Sequence, residues 1–366
     1  MRITRRSLVS CLSLSLLLTG CAVEEVGPVA DPPAADPPAA DPPADPATAL
    51  AIRIDPAAPS YAAGDTPWID MTYTNTSTEP VTVLAWTLPS DDLWEDLFAV
   101  RVDGERAPYI GRIYRRADPM GDDLVVLPPG QSITGRIDLS RLYDFTRTGT
   151  YELEVRADAG ALTVDDGAER AHRDARPIVS NTVTLFGEGR PRPSRGDDGT
   201  ASYYGITYVR CSSSQKTDVR TGMRVADDQA ADATSYLANP PSNRARYKRW
   251  FGTYSSSRWR TVKNVFDTLR NRLNDSRMRF HCDCTDDYYA YVYPDDPYNI
   301  YLCNIYWDAS LDDKGGTVIH ELTHFYAVGG TDDVTYGASA CERLARSNPG
   351  QAVRNADNYA YFCELP

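Results

Sequence analysis

The 366-residue chain is poor in histidine, with four in all, and it has no cysteine between Cys21 and Cys211. Any metal site must therefore draw on few imidazoles, and disulfides are confined to the C-terminal half. Positive charge is also in deficit: 38 Lys and Arg face 51 Asp and Glu, a formal net charge of −13. That balance excludes a nucleic-acid binder, which needs a basic face, and it suits an extracytoplasmic protein that stays soluble. The apolar run Leu8–Leu18 is too short to cross a bilayer. What remains is ordinary folded material, 42% hydrophobic and 10% aromatic, long enough for two domains.

The N-terminus carries an export address. Arg2, Arg5 and Arg6 precede the apolar run, which ends in Leu18-Thr19-Gly20-Cys21. This resembles the lipobox of bacterial lipoproteins, which implies a signal peptide over residues 1–20 and lipid on Cys21. The alternative is an ordinary cleaved secretory signal, and Arg5-Arg6 hints at twin-arginine export. Membrane contact is expected only through that lipid. With Cys11 removed and Cys21 lipidated, six cysteines remain: Cys211, Cys282, Cys284, Cys303, Cys341 and Cys363. In an exported protein an even set reads as disulfides, and Cys282-Asp283-Cys284 is spaced poorly for zinc.

Texture then divides the chain. Residues 21–49 hold a Pro/Ala repeat with periodic Asp, a semi-extended spacer. Residues 50–187 alternate apolar and polar residues in short runs such as "WIDMTYTNTS" and "GTYELEVRA", with turns at Asp103-Gly104 and Pro128-Pro129-Gly130. The expectation is an all-β, immunoglobulin-like sandwich with no catalytic constellation. Residues 188–199 form a Gly/Pro/Arg linker whose Arg190, Arg192 and Arg195 invite proteolytic nicking. Residues 200–366 read as a mainly helical α+β domain. Trp259, Val262, Val265, Phe266, Leu269 and Leu273 recur at helical spacing. "GGTVIHELTHFYAV" reads as a helix stopped by Gly329-Gly330, and two further helices are expected over 338–347 and 351–364.

The chemistry lies in His320-Glu321-Leu322-Thr323-His324. On a helix, positions i and i+4 share a face, so His320 and His324 can address one zinc ion while Glu321 serves as general base. A third ligand is required. The metzincin continuation is absent, because Ala327 and Gly330 stand where its Gly and His would be. The candidates are Asp332 and Asp333 in the turn after the helix, and Glu342, eighteen residues past His324 in the manner of a gluzincin. A zinc that merely staples a non-catalytic surface lipoprotein is the remaining alternative.

The run Gly330-Thr331-Asp332-Asp333-Val334-Thr335-Tyr336-Gly337 matches Gly-Thr-x-Asp-x-x-Tyr-Gly. Together with the histidine motif, Cys211-Ser212-Ser213-Ser214 and Asn355-Ala356-Asp357, it resembles the aspzincin metalloendopeptidases, which include deuterolysin and the peptidyl-Lys metalloendopeptidases. The resemblance covers the last 165 or so residues. It implies one catalytic Zn2+ held by His320, His324 and Asp333, with Glu321 as base and Tyr336 as hydrogen-bond donor to the oxyanion. It implies protein or peptide substrates and a secreted or lipid-anchored monomer. It also implies Asp357 in the substrate pocket. The second acid that lysine-directed members place one helical turn on falls at Ala360, so a strict preference for lysine does not follow. The family pattern suggests disulfides Cys211–Cys282 and Cys284–Cys303, leaving Cys341 to pair with Cys363. The β-rich region resembles the propeptide ahead of bacterial members, which implies a latent zymogen released by cleavage in the linker.

Overall fold

In Trp68–Asn75, apolar residues alternate with polar ones, and Ile69, Met71 and Tyr73 turn inward. In the computed structural model, which describes residues 49–157, 162, 177–190, 200–203, 206–240, 245–273 and 278–365, this strand centres an antiparallel sheet between Leu50–Pro56 and Ser132–Asp138. A second sheet has the order Ser60–Tyr61, Val183–Gly187, Gly149–Ala157, Phe98–Val102, Glu105–Arg106. The hairpin Asp103-Gly104 turns where expected, with both residues at positive φ. Ile54, Ile69 and Met71 of the first sheet share one core with Val100, Leu153 and Val155 of the second. The leader, Cys21, the spacer and residues 191–199 of the linker lie outside the described residues.

One strand departs from this β-rich region. Ile113–Arg115 leaves its own sheets and pairs antiparallel with Ala290–Val292, placing Arg115 opposite Ala290. It thereby becomes the edge of a six-stranded sheet whose other members are Thr200–Tyr203, Ile206–Val209, Arg279–His281, Asn299–Leu302 and Ala290–Val292. Alternation did not single out this three-residue segment, because its partner lies far along the chain.

Helices cover that sheet. Ser213–Leu237 begins with a reciprocal cap between Ser212 and Gln215. Its Ala226, Ala230 and Ala233 are fully buried, letting a second helix come close. Ser256–Leu273 buries Val262, Val265, Phe266, Leu269 and Leu273, as its periodicity predicts. The motif helix runs over Leu311–His324, earlier at both ends than expected. Ser310 caps its start, and Asp312 and Asp313 suit the positive end of the helix dipole. Its end is fixed by Phe325, whose carbonyl accepts from Val328, Gly329 and Gly330. The expected final helix divides into Pro349–Ala352 and Ala356–Glu364. No helix among the described residues is long and apolar enough to cross a membrane.

Disulfides join Cys211 to Cys282 and Cys284 to Cys303. The expected Cys341–Cys363 bridge is absent, and both are buried free thiols. They face different neighbours: Cys341 Sγ accepts from Asn355 Nδ2 at 3.4 Å, while Cys363 lies near Arg246. Burial pushes both thiols up, so they remain protonated.

Candidate metal centre and the strand that covers it

From Val318 to His324 the motif helix is buried on every side. Two histidines and a glutamate in such a helix are costly unless each has a partner. Each imidazole is partnered at Nδ1. His320 Nδ1 lies 2.9 Å from Asp357 Oδ1, and His324 Nδ1 lies 2.9 Å from the Thr331 carbonyl oxygen. With a metal ion bound, these partners would hold the ring proton on Nδ1 and turn the Nε2 lone pair to the ion.

The third group arrives on the turn after the helix. Gly330 takes φ +56°, and the amide of Thr331 returns to the Thr323 carbonyl. Asn355 Oδ1 then accepts from the amides of Val334 and Thr335 at 2.8 and 3.1 Å, fixing the loop around Asp333. Asp333 Oδ1 ends 3.3 Å from His320 Nε2 and 3.5 Å from His324 Nε2. His320, His324 and Asp333 form a group whose ligand atoms all lie within 4.8 Å of one another. All three of these atoms are buried without a hydrogen-bond partner. Two imidazole lone pairs and a carboxylate oxygen converging in this way suit a divalent ion with nitrogen and oxygen ligands, zinc above all.

Electrostatics agree with a site for positive charge. Burial disfavours a charged His320, but Asp333 and then Asp357 outweigh it and hold its pKa up at about 10. For His324 burial dominates and the pKa falls. Asp333 is held below the usual carboxylate range, since His324 and His320 outweigh its burial. Glu321 is pushed up to about 8 by burial, with Asp333 adding to the rise and His320 and Arg115 opposing it. Neither Glu321 oxygen has a hydrogen-bond partner. Burial keeps the Tyr336 phenol protonated, and its hydroxyl donates to Asp333 Oδ2 at 3.3 Å.

The other candidates are engaged elsewhere. Asp332 pairs with Arg354 at 2.6 Å. Glu342 pairs with Arg249 at 2.8 Å and lies 3.6 Å from Arg346. Asp357 both orients His320 and accepts from the Gly337 amide at 3.0 Å. Ala360 is fully buried.

The β-rich region, in which no catalytic constellation is expected, nevertheless packs side chains against the site. Arg115 and Arg116 are almost wholly buried against it. Arg116 reaches Glu95 at 2.6 Å and acts on the Tyr336 phenol, while Trp86 meets the Tyr336 ring edge-on at 5.8 Å. The signal in the sequence is Arg112-Ile113-Tyr114-Arg115-Arg116, a cluster of three arginines inside a strand-rich region. Glu364, two residues before Pro366, was also missed, since no motif marks it.

The chain is similar to known proteins over most of its length. Residues 236–364 match the aspzincin family model, described as lysine-specific metallo-endopeptidase. The extracellular protease of Aeromonas hydrophila is 35% identical over 306 residues, covering 81% of this chain and 87% of that protein. The peptidyl-Lys metalloendopeptidase of Armillaria mellea is 34% identical over 243 residues, covering 65% of this chain and 68% of its own. Among solved structures, a zinc peptidase from Grifola frondosa is 39% identical, with a TM-score of 0.41, covering 42% of this chain and 96% of its own. The chain belongs to the aspzincin family of metalloendopeptidases, hydrolases that act on peptide bonds.

Proposed function

We propose that the chain is a zinc-dependent endopeptidase made as a latent precursor, in which Ile113–Arg116 lies in the cleft that a substrate uses. The observation that carries this reading is the convergence of three buried, partnerless ligand atoms from His320, His324 and Asp333 beside that strand. Zinc bound there supplies a Lewis acid that polarises the scissile carbonyl and acidifies water. Asp357 and the Thr331 carbonyl hold both imidazoles in the ligating tautomer. Glu321, buried with a raised pKa, takes a proton from water and returns it to the leaving nitrogen. Tyr336, kept protonated by burial, donates to the developing oxyanion.

Latency rests on the way an extended peptide joins a sheet edge: main-chain pairing fixes it and side-chain pockets select it. Ile113–Arg115 has that relation to Ala290–Val292. In this reading residues 50–187, an immunoglobulin-like sandwich, form the prosegment and residues 200–366 the protease, with cleavage in 188–199 separating them. The basic leader and Cys21 favour export and lipid anchoring, in keeping with the extracellular relative from Aeromonas hydrophila. Cys21→Ser then shifts the protein from the membrane fraction to the medium; unchanged fractionation refutes the anchor.

Two measurements test the chemistry. Glu321→Gln lowers casein hydrolysis by roughly 10²–10⁴-fold with zinc retained; undiminished hydrolysis removes Glu321 as base. Asp333→Ala weakens zinc binding by more than about 100-fold, whereas Glu342→Ala leaves it unchanged. Zinc content by elemental analysis separates the two, and the reverse pattern would mean a gluzincin.

A further inference from the structure

The covering strand turns two faces to the protease, because side chains alternate along it. Arg115 points to the motif helix, where it donates to Thr317 Oγ1 and to Glu364 Oε1, each at 2.7 Å. Arg112, Tyr114 and Arg116 point the other way and meet tyrosines of the protease. Arg112 Nε donates to Tyr293 Oη at 3.0 Å, and its guanidinium lies over both the Tyr291 and Trp94 rings, 4.7 Å from each centroid. The Tyr114 ring lies 4.6 Å from Tyr288 and 5.1 Å from Tyr291. The Arg116 guanidinium stands over Tyr288 at 4.5 Å.

Strand register explains why these rings meet. Tyr114 pairs with Tyr291, Tyr291 with Tyr301, and Tyr301 with His281, so one level of the sheet carries a row of rings on one face. Tyr291 and Tyr301 stack at 4.6 Å and 3°, and Tyr301 and His281 at 4.1 Å and 18°. Tyr293 stands edge-on to both Tyr291 and Tyr301. Except for Tyr114 these rings belong to the protease, and cross-strand packing holds Tyr291 and Tyr293 in place whichever strand pairs with Ala290–Val292. Aromatic faces beside a sheet edge suit a guanidinium, which stacks on rings while keeping its N–H groups for hydrogen bonds.

We propose that Tyr288, Tyr291 and Tyr293 form a second recognition site of the protease, on the face of the sheet turned away from the motif helix, and that it selects extended peptides carrying arginine two residues before an aromatic residue. The inference rests on the reading that Ile113–Arg116 occupies the place of a substrate. The position of Arg112 is the discriminating one. Arg116 draws its carboxylate, Glu95, from the β-rich region itself, so that partner leaves with the prosegment. The rings and phenol that meet Arg112 at Tyr291 and Tyr293 stay with the protease. Arg112 Nη1 also donates to Tyr114 Oη at 3.0 Å, which couples the two positions and favours tyrosine as the aromatic residue.

The test titrates a fluorescent peptide of sequence 111–117 into the zinc-loaded full chain carrying Arg115→Ala, to loosen its own strand, and Glu321→Gln, to prevent turnover. Citrulline in place of the first arginine keeps the shape and removes the charge, and it is expected to weaken binding at least about five-fold. Tyr293→Phe in the chain keeps the ring and removes the phenol. It is expected to weaken the arginine peptide at least about three-fold and to leave a peptide with alanine at that position unchanged. Equal affinity for arginine and citrulline, or a Tyr293→Phe effect that is the same for the arginine and alanine peptides, overturns the proposal. The cleft reading fails separately. If none of the peptides binds, either to this chain or to the wild-type chain cut within 188–199, that reading is removed and the recognition site with it.

Discussion

Arginine–carboxylate pairs occur in two settings in this molecule, and their lengths do not distinguish them. On the outer face of the first sheet, Arg53–Asp55 and Arg136–Asp70 are 2.5 and 2.7 Å long, with arginine side chains more than half exposed. On the covering strand, Arg115–Glu364 and Arg116–Glu95 are 2.7 and 2.6 Å long, with both arginines 4% exposed. Exposed pairs contribute about 0–1 kcal/mol because water already solvates both partners. Removing one partner of a buried pair costs roughly 3–5 kcal/mol because the other charge is stranded. A fold has no need to place charges where they are so costly. Among the described residues, the arginine–carboxylate pairs with both side chains less than 15% exposed are those of Arg115 and Arg116, and this gives them a role beyond holding the β-rich sheets together.

The contrast can be broken most forcefully at Arg115. Arg115→Glu sets a third carboxylate against Asp357 and Glu364. It is expected to destabilise the intact chain by roughly 3–5 kcal/mol in denaturant unfolding and to raise casein hydrolysis by the uncut chain. A neutral result would make the buried pair no different from its exposed counterparts. A smaller effect is expected at Gly316→Ala, which forces Glu364 off its position at a cost of about 1–3 kcal/mol, read by the same unfolding experiment.

Next comes pH. Asp96 is pushed up to about 6 by burial, with Asp332 adding and its hydrogen bond from Tyr143 opposing. A carboxyl whose folded pKa is raised favours the folded state below its unfolded value, and that advantage is lost as pH rises through about 6. The chain is therefore more stable near pH 5 than near pH 8 through this group, on the order of 1 kcal/mol. Asp96→Asn should flatten that part of the melting-temperature profile, and an unaltered profile would remove Asp96 as its source. The smallest effect is expected at Arg136→Ala, under about 1 kcal/mol despite its two hydrogen bonds to Asp70.

The part of the site legible in the sequence is the part made by local geometry. His320 and His324 share a helical face by spacing alone, and the turn that returns Asp333 needs only the next nine residues. The main strands of the β-rich region were likewise visible through alternation. The covering strand was not, because Arg115 meets Thr317 across 202 positions and Glu364 across 249. Periodicity reports which face of an element is buried and is silent about what buries it. Three residues are also too few to show a period. The pairing of Cys341 with Cys363 failed for a related reason: an even cysteine count is a statement about compartment, whereas a bond depends on which neighbours two helices turn toward each other.

The most direct test of the account follows casein hydrolysis by the zinc-loaded full chain while intact mass tracks the linker over residues 188–199. The account predicts that the unbroken chain is silent, and that hydrolysis appears once the linker is cut and the N-terminal fragment, with its Arg115, has left the cleft. Full activity in a chain that is still unbroken would contradict it.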